Sequence, residues 1–276
     1  MRILMISRKA AQCGVADYGL RLFAILQTHF DITFREVETL EDCNPAGFDT
    51  VLYNYHYATL PFIKDDVLDR SIKHIAIYHE AHLHFTPDKV IDTSIRPLFE
   101  NVWLDDKPNW IPTIGSFGFG FPDKNFPGIA KVVKEQYDEA VIKLNIPFAD
   151  YGDRDGQLAR READRCREIL HGTKIQLVVD HTYLSQTDLL TFLRGNDINL
   201  FLYRQSHGRG LSSSIDYALS AYRPIGVSDS EMFRHLPRQC VVGDLRQIQR
   251  SWFDVLSPVW KEHSNNRLVE KYIDFL

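Results

Sequence analysis

The sequence predicts an α/β protein built from two Rossmann-like series of parallel strands. Apolar runs of strand length recur along the chain, and segments with helical spacing of apolar residues separate them. The alternation pauses once, around residues 107–112, and then restarts. Apolar runs joined by helices mark a parallel sheet covered on both faces, because each crossover helix lies back against the sheet.

Arg2 to Ser7 is the first buried strand. Cys13-Gly14-Val15-Ala16-Asp17-Tyr18 follows as a glycine-containing loop. Leu20, Leu22, Phe23 and Ile25 then set the apolar face of a helix over about Tyr18 to Thr28. Asp49 to Tyr55 and His74 to Tyr78 are further buried strands, and Asn101 to Leu104 is a short one. In Lys107-Pro108-Asn109-Trp110-Ile111-Pro112 the prolines and polar residues interrupt the pattern as an interdomain linker does, so an N-terminal domain is expected over 1–108.

The second series begins with a strand at Thr113 to Phe119, a helix over about Pro127 to Tyr137 and a strand at Ala140 to Pro147. A charged helix from about Gln157 to Leu170 leads to a strand at Lys174 to Asp180. A helix over about Thr187 to Leu193, a strand at Ile198 to Tyr203, a helix over about Ser212 to Tyr222 and a strand at Pro224 to Val227 complete a domain over 109–255. From Val259 onward, Leu268, Val269, Tyr272, Ile273 and Leu276 mark helical character with an apolar face that needs a partner. Residues 256–276 are therefore expected to return to the N-terminal domain.

Composition narrows the function. A chain of 276 residues, 44% hydrophobic and 25% charged, is ordinary globular material with enough length for two cores. A formal charge of -5 gives no whole-molecule attraction for nucleic acid or an anionic membrane, which leaves small molecules or neutral partners. The apolar stretch before Arg8 and Lys9 is too short for a signal segment, and no window approaches membrane-spanning length. A cytoplasmic protein with at most peripheral membrane contact is expected. Cys13, Cys43, Cys166 and Cys240 lack C-x-x-C spacing, which suggests a reduced compartment and neither a zinc cage nor a disulfide framework.

The stretch from Ser206 to Leu219 carries the clearest chemistry. Gly208 and Gly210 let the backbone pass close to a ligand, and Ser212, Ser213 and Ser214 supply caps and hydroxyl donors. Free amides at a helix start favour a diphosphate through hydrogen bonds and the helix dipole. Arg209 is placed to neutralise phosphate charge and Asp216 to accept from ribose hydroxyls. The same pattern also describes an ordinary capped helix start.

Polar residues at the carboxyl ends of parallel strands point into the ligand crevice, which singles out His56 after Tyr53-Asn54-Tyr55 and His79-Glu80 after Ile75 to Tyr78. A histidine satisfied within its own loop is the plainer alternative. The spacing of His79, His82 and His84 is weak support for a metal, and Asp65-Asp66 and Asp105-Asp106 read as solvated acidic turns, so no metal site is expected. Asp17 is a candidate base facing an acceptor hydroxyl, or else a helix N-cap. No G-x-G-x-x-G follows the first strand, which argues against a dinucleotide oxidoreductase.

Gly208-Arg209-Gly210-Leu211 resembles the signature of GT-B fold glycosyltransferases of the retaining group 1 or family 4 type, where Glu-Gly-Phe-Gly-Leu opens a helix carrying a second Glu. Arg223-Pro224-Ile225-Gly226-Val227-Ser228 resembles the strand that follows it. Residues 13–18 are similar to the first loop of such enzymes, whose glycine, here Gly14, approaches the donor phosphates. Ile114 to Phe119 with Lys124 resembles the donor domain's first strand and its diphosphate-binding lysine. Asp180 to Ser185 resembles the segment beside the nucleobase, which places Leu184 there.

The resemblance implies two Rossmann-like domains facing across a cleft. It also implies transfer of a sugar from a nucleotide-diphosphate-sugar to a glycan, lipid-linked sugar or small molecule, with retention and without metal. The nucleotide-sugar is co-substrate and no separate cofactor is implied. Gly14, Lys124, Arg209, Gly210, Leu211, Ser212, Ser213, Asp216 and Leu184 become the donor-binding set, with His79 and Asp17 the catalytic candidates and His207, His56 and Glu80 possible sugar contacts. This chain departs from the pattern where the first signature Glu falls on His207. The second Glu reaches Asp216 only with one residue inserted. Ser116 or Phe117 stands where an arginine commonly precedes the lysine, a role that Arg209 or Arg204 would take over. Two other functions share these features: a degenerate protein that binds nucleotide-sugars without turnover, and a nucleotide-sugar-processing enzyme such as an epimerase.

Overall fold

Every strand expected within the described residues forms, and together with further edge strands they make two wholly parallel sheets of five strands each. The computed structural model describes residues 1–10, 12–79, 82–99 and 109–276. The expected strand at Asn101 to Leu104, the acidic pair Asp105-Asp106, Glu80 and the start of the expected linker lie outside those residues.

The first sheet holds β1 (Ile3–Arg8), β2 (Ile32–Val37), β3 (Thr50–Tyr55), β4 (Lys73–Tyr78) and β5 (Lys89–Asp92), in the order β2-β1-β3-β4-β5. Helix α1 (Gly14–Leu26) joins β1 to β2. Alternate side chains go to opposite faces, as strand geometry demands. Ile3, Met5, Leu52, Ile75 and Ile77 pack with Tyr18, Leu22 and Leu26 of α1 on one face, while Leu4, Ile6, Val51, Tyr53 and Ala76 fill the other. β2 and β5 escape the apolar-run criterion because polar and charged residues interrupt them. Their exposed positions carry Thr33, Glu36, Lys89 and Asp92, so neither reads as a continuous apolar run.

The second sheet holds β6 (Thr113–Phe117), β7 (Glu139–Asn145), β8 (Lys174–Asp180), β9 (Ile198–Phe201) and β10 (Ile225–Val227), in the order β10-β9-β6-β7-β8. Helices α2 (Phe126–Gln136), α3 (Gln157–Leu170), α4 (Gln186–Arg194) and α5 (Ser214–Ser220) make the crossovers, and α6 (Leu245–Glu262) and α7 (Asn265–Ile273) end the chain. Phe126, Ile129 and Val133 of α2 and Ala159 and Ala163 of α3 cover Ile142 and Leu144 of β7 and Ile198 and Leu200 of β9. In each sheet the chain reverses its direction of growth, at β1 in the first and at β6 in the second. The carboxyl ends of strands at such reversals are where doubly wound sheets leave a crevice.

The described chain divides into two compact units. Met1–Leu98, Gly208–Ser213 and Lys261–Leu276 form the first, and Phe99–His207 with Ser214–Trp260 the second.

Several boundaries differ from the sequence expectation. Helix α1 starts at Gly14 rather than near Tyr18, with Cys13 as an extended N-cap residue, so Asp17 sits inside the first turn instead of capping it. Helix α5 starts at Ser214. The amides of Gly210 and Leu211 therefore belong to the preceding turn and not to a helix start, and Ser212 and Ser213 precede the helix as well. The helix expected from Val259 is two: α6 begins at Leu245, and α7 begins after Ser264, whose hydroxyl accepts from the Arg267 amide.

Candidate functional site

In the first unit, α1 begins over the carboxyl ends of β1, β3 and β4, and the side chains there form one hydrogen-bonded chain. Asn54 is wholly buried near the end of β3. Its Nδ2 donates to Ser7 Oγ at 2.9 Å and to the Val15 carbonyl at 2.6 Å. Its Oδ1 lies 2.7 Å from His79 Nε2, and because an amide oxygen can only accept, that nitrogen carries the proton. The His79 ring also meets the edge of Tyr18 at 4.7 Å between centroids, and the buried Arg96 guanidinium lies 4.7 Å from the Tyr18 ring. The packing requires a glycine on α1, since a Cβ at Gly19 would fall 2.4 Å from Asn54 Nδ2. His79 is thus held in one tautomer by a buried amide.

Gly14 has a similar steric reason to be glycine. A Cβ there would stand 2.5 Å from Ser213 Oγ, so the turn over residues 208–213 approaches the start of α1 closely, within the first unit. Gly208 holds φ of +74°, a left-handed conformation open to glycine. Arg209 is exposed on the turn, whereas Ser212 is buried. Asp17 faces its own helix: Oδ2 is 3.6 Å from Arg21 Nη2, and Arg21 Nη1 donates to the Pro97 carbonyl at 3.1 Å. His56 sits apart from the His79 network in a local turn, where Nδ1 accepts from the Ala58 amide at 3.1 Å and the ring stacks on Tyr57. His82 and His84 flank Tyr57, and among the described residues no three His, Cys, Asp or Glu side chains gather as a metal-binding set.

In the second unit, Lys124 follows the reversal strand β6. Its Nζ stands 3.9 Å from the centroid of the Tyr203 ring, and the Tyr203 hydroxyl is 2.8 Å from Ser214 Oγ at the first residue of α5. Two further bonds fix the loop. Asn125, with φ of +54°, donates from Nδ2 to the Leu202 carbonyl at 2.9 Å, and the Arg204 amide donates to the Asp123 carbonyl at 2.8 Å. An ammonium, a phenol and a hydroxyl therefore converge at the carboxyl ends of β6 and β9. The Tyr203 and Ser214 hydroxyls are buried and bonded to each other, so it is the Lys124 ammonium, held over the Tyr203 ring, that attracts an anion by its charge.

Phe119 and Tyr183 lie on the β8 side, with rings nearly parallel at 10° and centroids 6.4 Å apart. Tyr183 is half-exposed, and Leu184 follows it. Asp180, at the end of β8, is held below the usual carboxylate range by the Thr182 amide, which bonds Oδ1 at 2.9 Å. Asp216, assigned from sequence to a ribose, is wholly buried in the first turn of α5, with no surface for a ribose to reach. His207 is exposed, and its Nδ1 is 2.8 Å from Glu231 Oε1.

The sequence named Lys124 and His79 as candidates and did not single out Asn54, Tyr203, the Phe119 and Tyr183 pair or Glu231, which the structure sets beside named candidates or, for the ring pair, beside Leu184. Asn54 did carry a signal, as the one amide in an otherwise apolar and aromatic strand end. Glu231 carried none, because it reaches His207 from 24 positions along the chain.

No protein-family model and no curated protein matches this sequence. Solved structures do match, over nearly the whole chain. Anabaena HepE in complex with UDP aligns with a TM-score of 0.66 at 8% identity, over 100% of this chain and 99% of that one. AviGT4, a glycosyltransferase involved in avilamycin A biosynthesis, aligns with a TM-score of 0.63 at 11% identity, over 99% and 96%. An α-glucosyltransferase in complex with UDP gives 0.57 at 10%, over 100% and 95%. At such identities the likeness is one of fold, and the fold is GT-B.

Proposed function

We propose that this protein is a glycosyltransferase that takes its sugar from a UDP-sugar. The observation that carries the proposal is the placement of the Lys124 ammonium, held over the Tyr203 ring, just past the carboxyl end of β6, the strand at the sheet's reversal point. The sharing of this fold with glycosyltransferases crystallised with UDP supports reading the anion as a nucleotide diphosphate. Lys124 neutralises the diphosphate, and the signature resemblance assigns Arg209, the backbone of Gly210 and Leu211 and the hydroxyls of Ser212 and Ser213 to donor binding as well. Phe119, Tyr183 and Leu184 take the base. In the first unit, the resemblance assigns Gly14 to the donor phosphates and His79, which Asn54 holds, to the sugar.

In the reaction so proposed, the bond between the anomeric carbon and the diphosphate oxygen breaks and a new bond forms to an acceptor hydroxyl oxygen. The hydroxyl proton passes to the departing phosphate. Stabilising charge on the leaving group is the protein's main contribution, together with positioning. No resident metal is part of the proposal, and retention at the anomeric carbon is supported by the signature resemblance. Asp17 is better explained as a partner of Arg21 than as a base.

A thermal-shift panel of UDP-, GDP- and ADP-sugars, repeated with EDTA, tests the reading. Stabilisation by a UDP-sugar that survives EDTA is the expected result. No stabilisation by any nucleotide overturns the proposal, and EDTA-sensitive stabilisation overturns its metal-free form. The replacement of the signature Glu by His207 favours one second reading, a binding protein without turnover. That reading predicts stabilisation by UDP-glucose with no release of UDP in the presence of any acceptor.

A further inference from the structure

We infer that the groove beside β10 is a binding site for a neutral hexose. The inference rests on the glycosyltransferase reading for the hexose's role but not for its binding. After β10 the chain runs outward through Ser228 to Pro237 and returns so that the Val242 amide donates to the Val227 carbonyl at 2.8 Å. The loop so formed, with Gln205 opposite, encloses a cavity of about 390 Å³. Small-molecule sites span roughly 300 to 1,000 Å³. This one is at the small end, suited to a sugar and not to a whole nucleotide-sugar.

The lining specifies the ligand's charge. Two carboxylates, Asp229 and Glu231, oppose two guanidiniums, Arg234 and Arg238, so the formal charges cancel. Arg238 Nη1 and Asp229 Oδ1 are already paired at 2.7 Å. An anion here would face two carboxylates and a cation two guanidiniums. A ring of hydroxyls, each able to donate and accept, matches a wall offering both kinds of partner. Phe233 and Val227 are buried beneath the groove and close its base.

Glu231 is the best-oriented group on the rim. Its amide donates to Gln205 Oε1 at 3.0 Å, its carbonyl accepts from Arg234 Nη1 at 2.8 Å, and its carboxylate is 2.8 Å from His207 Nδ1. Since a carboxylate only accepts, His207 Nδ1 carries the proton, and the pair fixes the carboxylate from the signature turn. A carboxylate accepts hydrogen bonds and never donates, so Glu231 offers sugar hydroxyls an acceptor, while Arg234 and Arg238 offer donors. The groove lies on the carboxyl edge of the second sheet, with β10 next to β9 and β9 next to β6, the strand that leads to Lys124. A hexose there is carried either on the donor or on the acceptor.

Saturation-transfer NMR on the full chain decides, with UDP, UDP-glucose and methyl α-D-glucopyranoside as probes. Sugar protons are expected to be saturated by the wild-type protein. The sugar affinity is expected to fall about tenfold in Glu231→Ala and Gln205→Ala, as for loss of a hydrogen bond to a charged group, while the uridine signal of UDP persists. A response confined to UDP-glucose assigns the groove to the donor sugar, and one confined to the glucoside assigns it to the acceptor. Wild-type sugar affinity in both variants overturns the groove and leaves the glycosyltransferase reading standing. A wild-type protein blind to UDP overturns that reading instead. In that event, glucoside binding that both variants lose still supports the groove, and no glucoside binding overturns it.

Discussion

Lys124 rests its ammonium over the ring of Tyr203 instead of in open water, and this sets what its removal does. Long cationic side chains lose rotamer entropy when a ligand fixes them, so a lysine already held by an aromatic face binds at lower cost. Lys124→Ala is therefore expected to weaken UDP by about tenfold or more, and uridine, which lacks the phosphates, by much less, as read by isothermal titration calorimetry. Equal losses for both ligands would place Lys124 away from the diphosphate. At this scale the sequence was informative where a chemical group directly follows a buried strand, as with Lys124 and His79. It was silent where a partner comes from a distant segment, as with Tyr203 under Lys124 and Glu231 beside His207. Asp216 misled for a related reason: its position in a helical pattern is legible, but the direction its helix turns it is set by tertiary packing.

Elements show the same division. Gln157 to Leu170 and Lys174 to Asp180 form over the expected spans, because strong helical periodicity in one and the apolar run Leu177-Val178-Val179 in the other leave little choice. The edge strands β2 and β5 were invisible, since Thr33, Arg35 and Glu36 in one and Lys89 and Asp92 in the other break up their apolar residues, whereas the edge strand β8 keeps Leu177, Val178 and Val179 together. Helix α3 shows what pins an element in place. Asp153 Oδ1 and Oδ2 accept from the amides of Leu158 and Ala159 at 2.8 and 3.0 Å, and the same turn presses on Gly120. A Cβ at Gly120 would fall 2.4 Å from the backbone nitrogen and Cα of Ala159, and neither can yield as a side chain would. Gly120→Ala is expected to cost roughly 1–3 kcal/mol in denaturant unfolding. Gly243→Ala, where no atom lies within 4 Å, is expected to stay within about 0.5 kcal/mol.

The join between α7 and β5 makes a pH prediction. Burial alone would raise the Asp92 carboxyl, but hydrogen bonds from Lys271 and Ser94 outweigh it and hold the group down to about 2 from an ordinary 3.8. Lys271 Nζ is 2.7 Å from Asp92 Oδ1. A depressed carboxylate stabilises the fold above its unfolded value, and the contribution disappears as pH falls through the folded one. The melting temperature of the wild type should thus drop more steeply than that of Asp92→Asn between about pH 4 and pH 2. The pair is solvent-facing, so the difference should amount to less than about 1 kcal/mol. Parallel melting curves over that interval would show Asp92 to be unpaired in solution.

For the molecule as a whole, the order of the chain and the order of its units are not the same. Alternating strands and helices announced an α/β fold with two parallel sheets, and the apolar face after Val259 gave the expectation that residues 256–276 return to the N-terminal domain. Lys261–Leu276 group with Met1–Leu98 in one unit. The apolar face of α7 makes the joining necessary. Leu268, Val269 and Tyr272 are buried against Ile3, Met5, Tyr18 and Leu22. Lys73 Nζ donates to the Phe275 carbonyl at 2.7 Å, and at the break before α7 the Arg96 amide donates to His263 Nδ1 at 3.3 Å. Each fully buried side chain of this size is worth roughly 1.5–3 kcal/mol, and the sum over three is a large part of the roughly 5–15 kcal/mol that holds a typical domain. A chain ending at Trp260 should therefore lose the first unit and keep the second. Residue-resolved hydrogen exchange would show protection collapsing in β1, β3 and α1 while β6, β7 and α3 keep theirs. Unchanged protection in β1 would mean that α7 is a passenger on the first unit, and loss in both units alike would mean that they unfold as one.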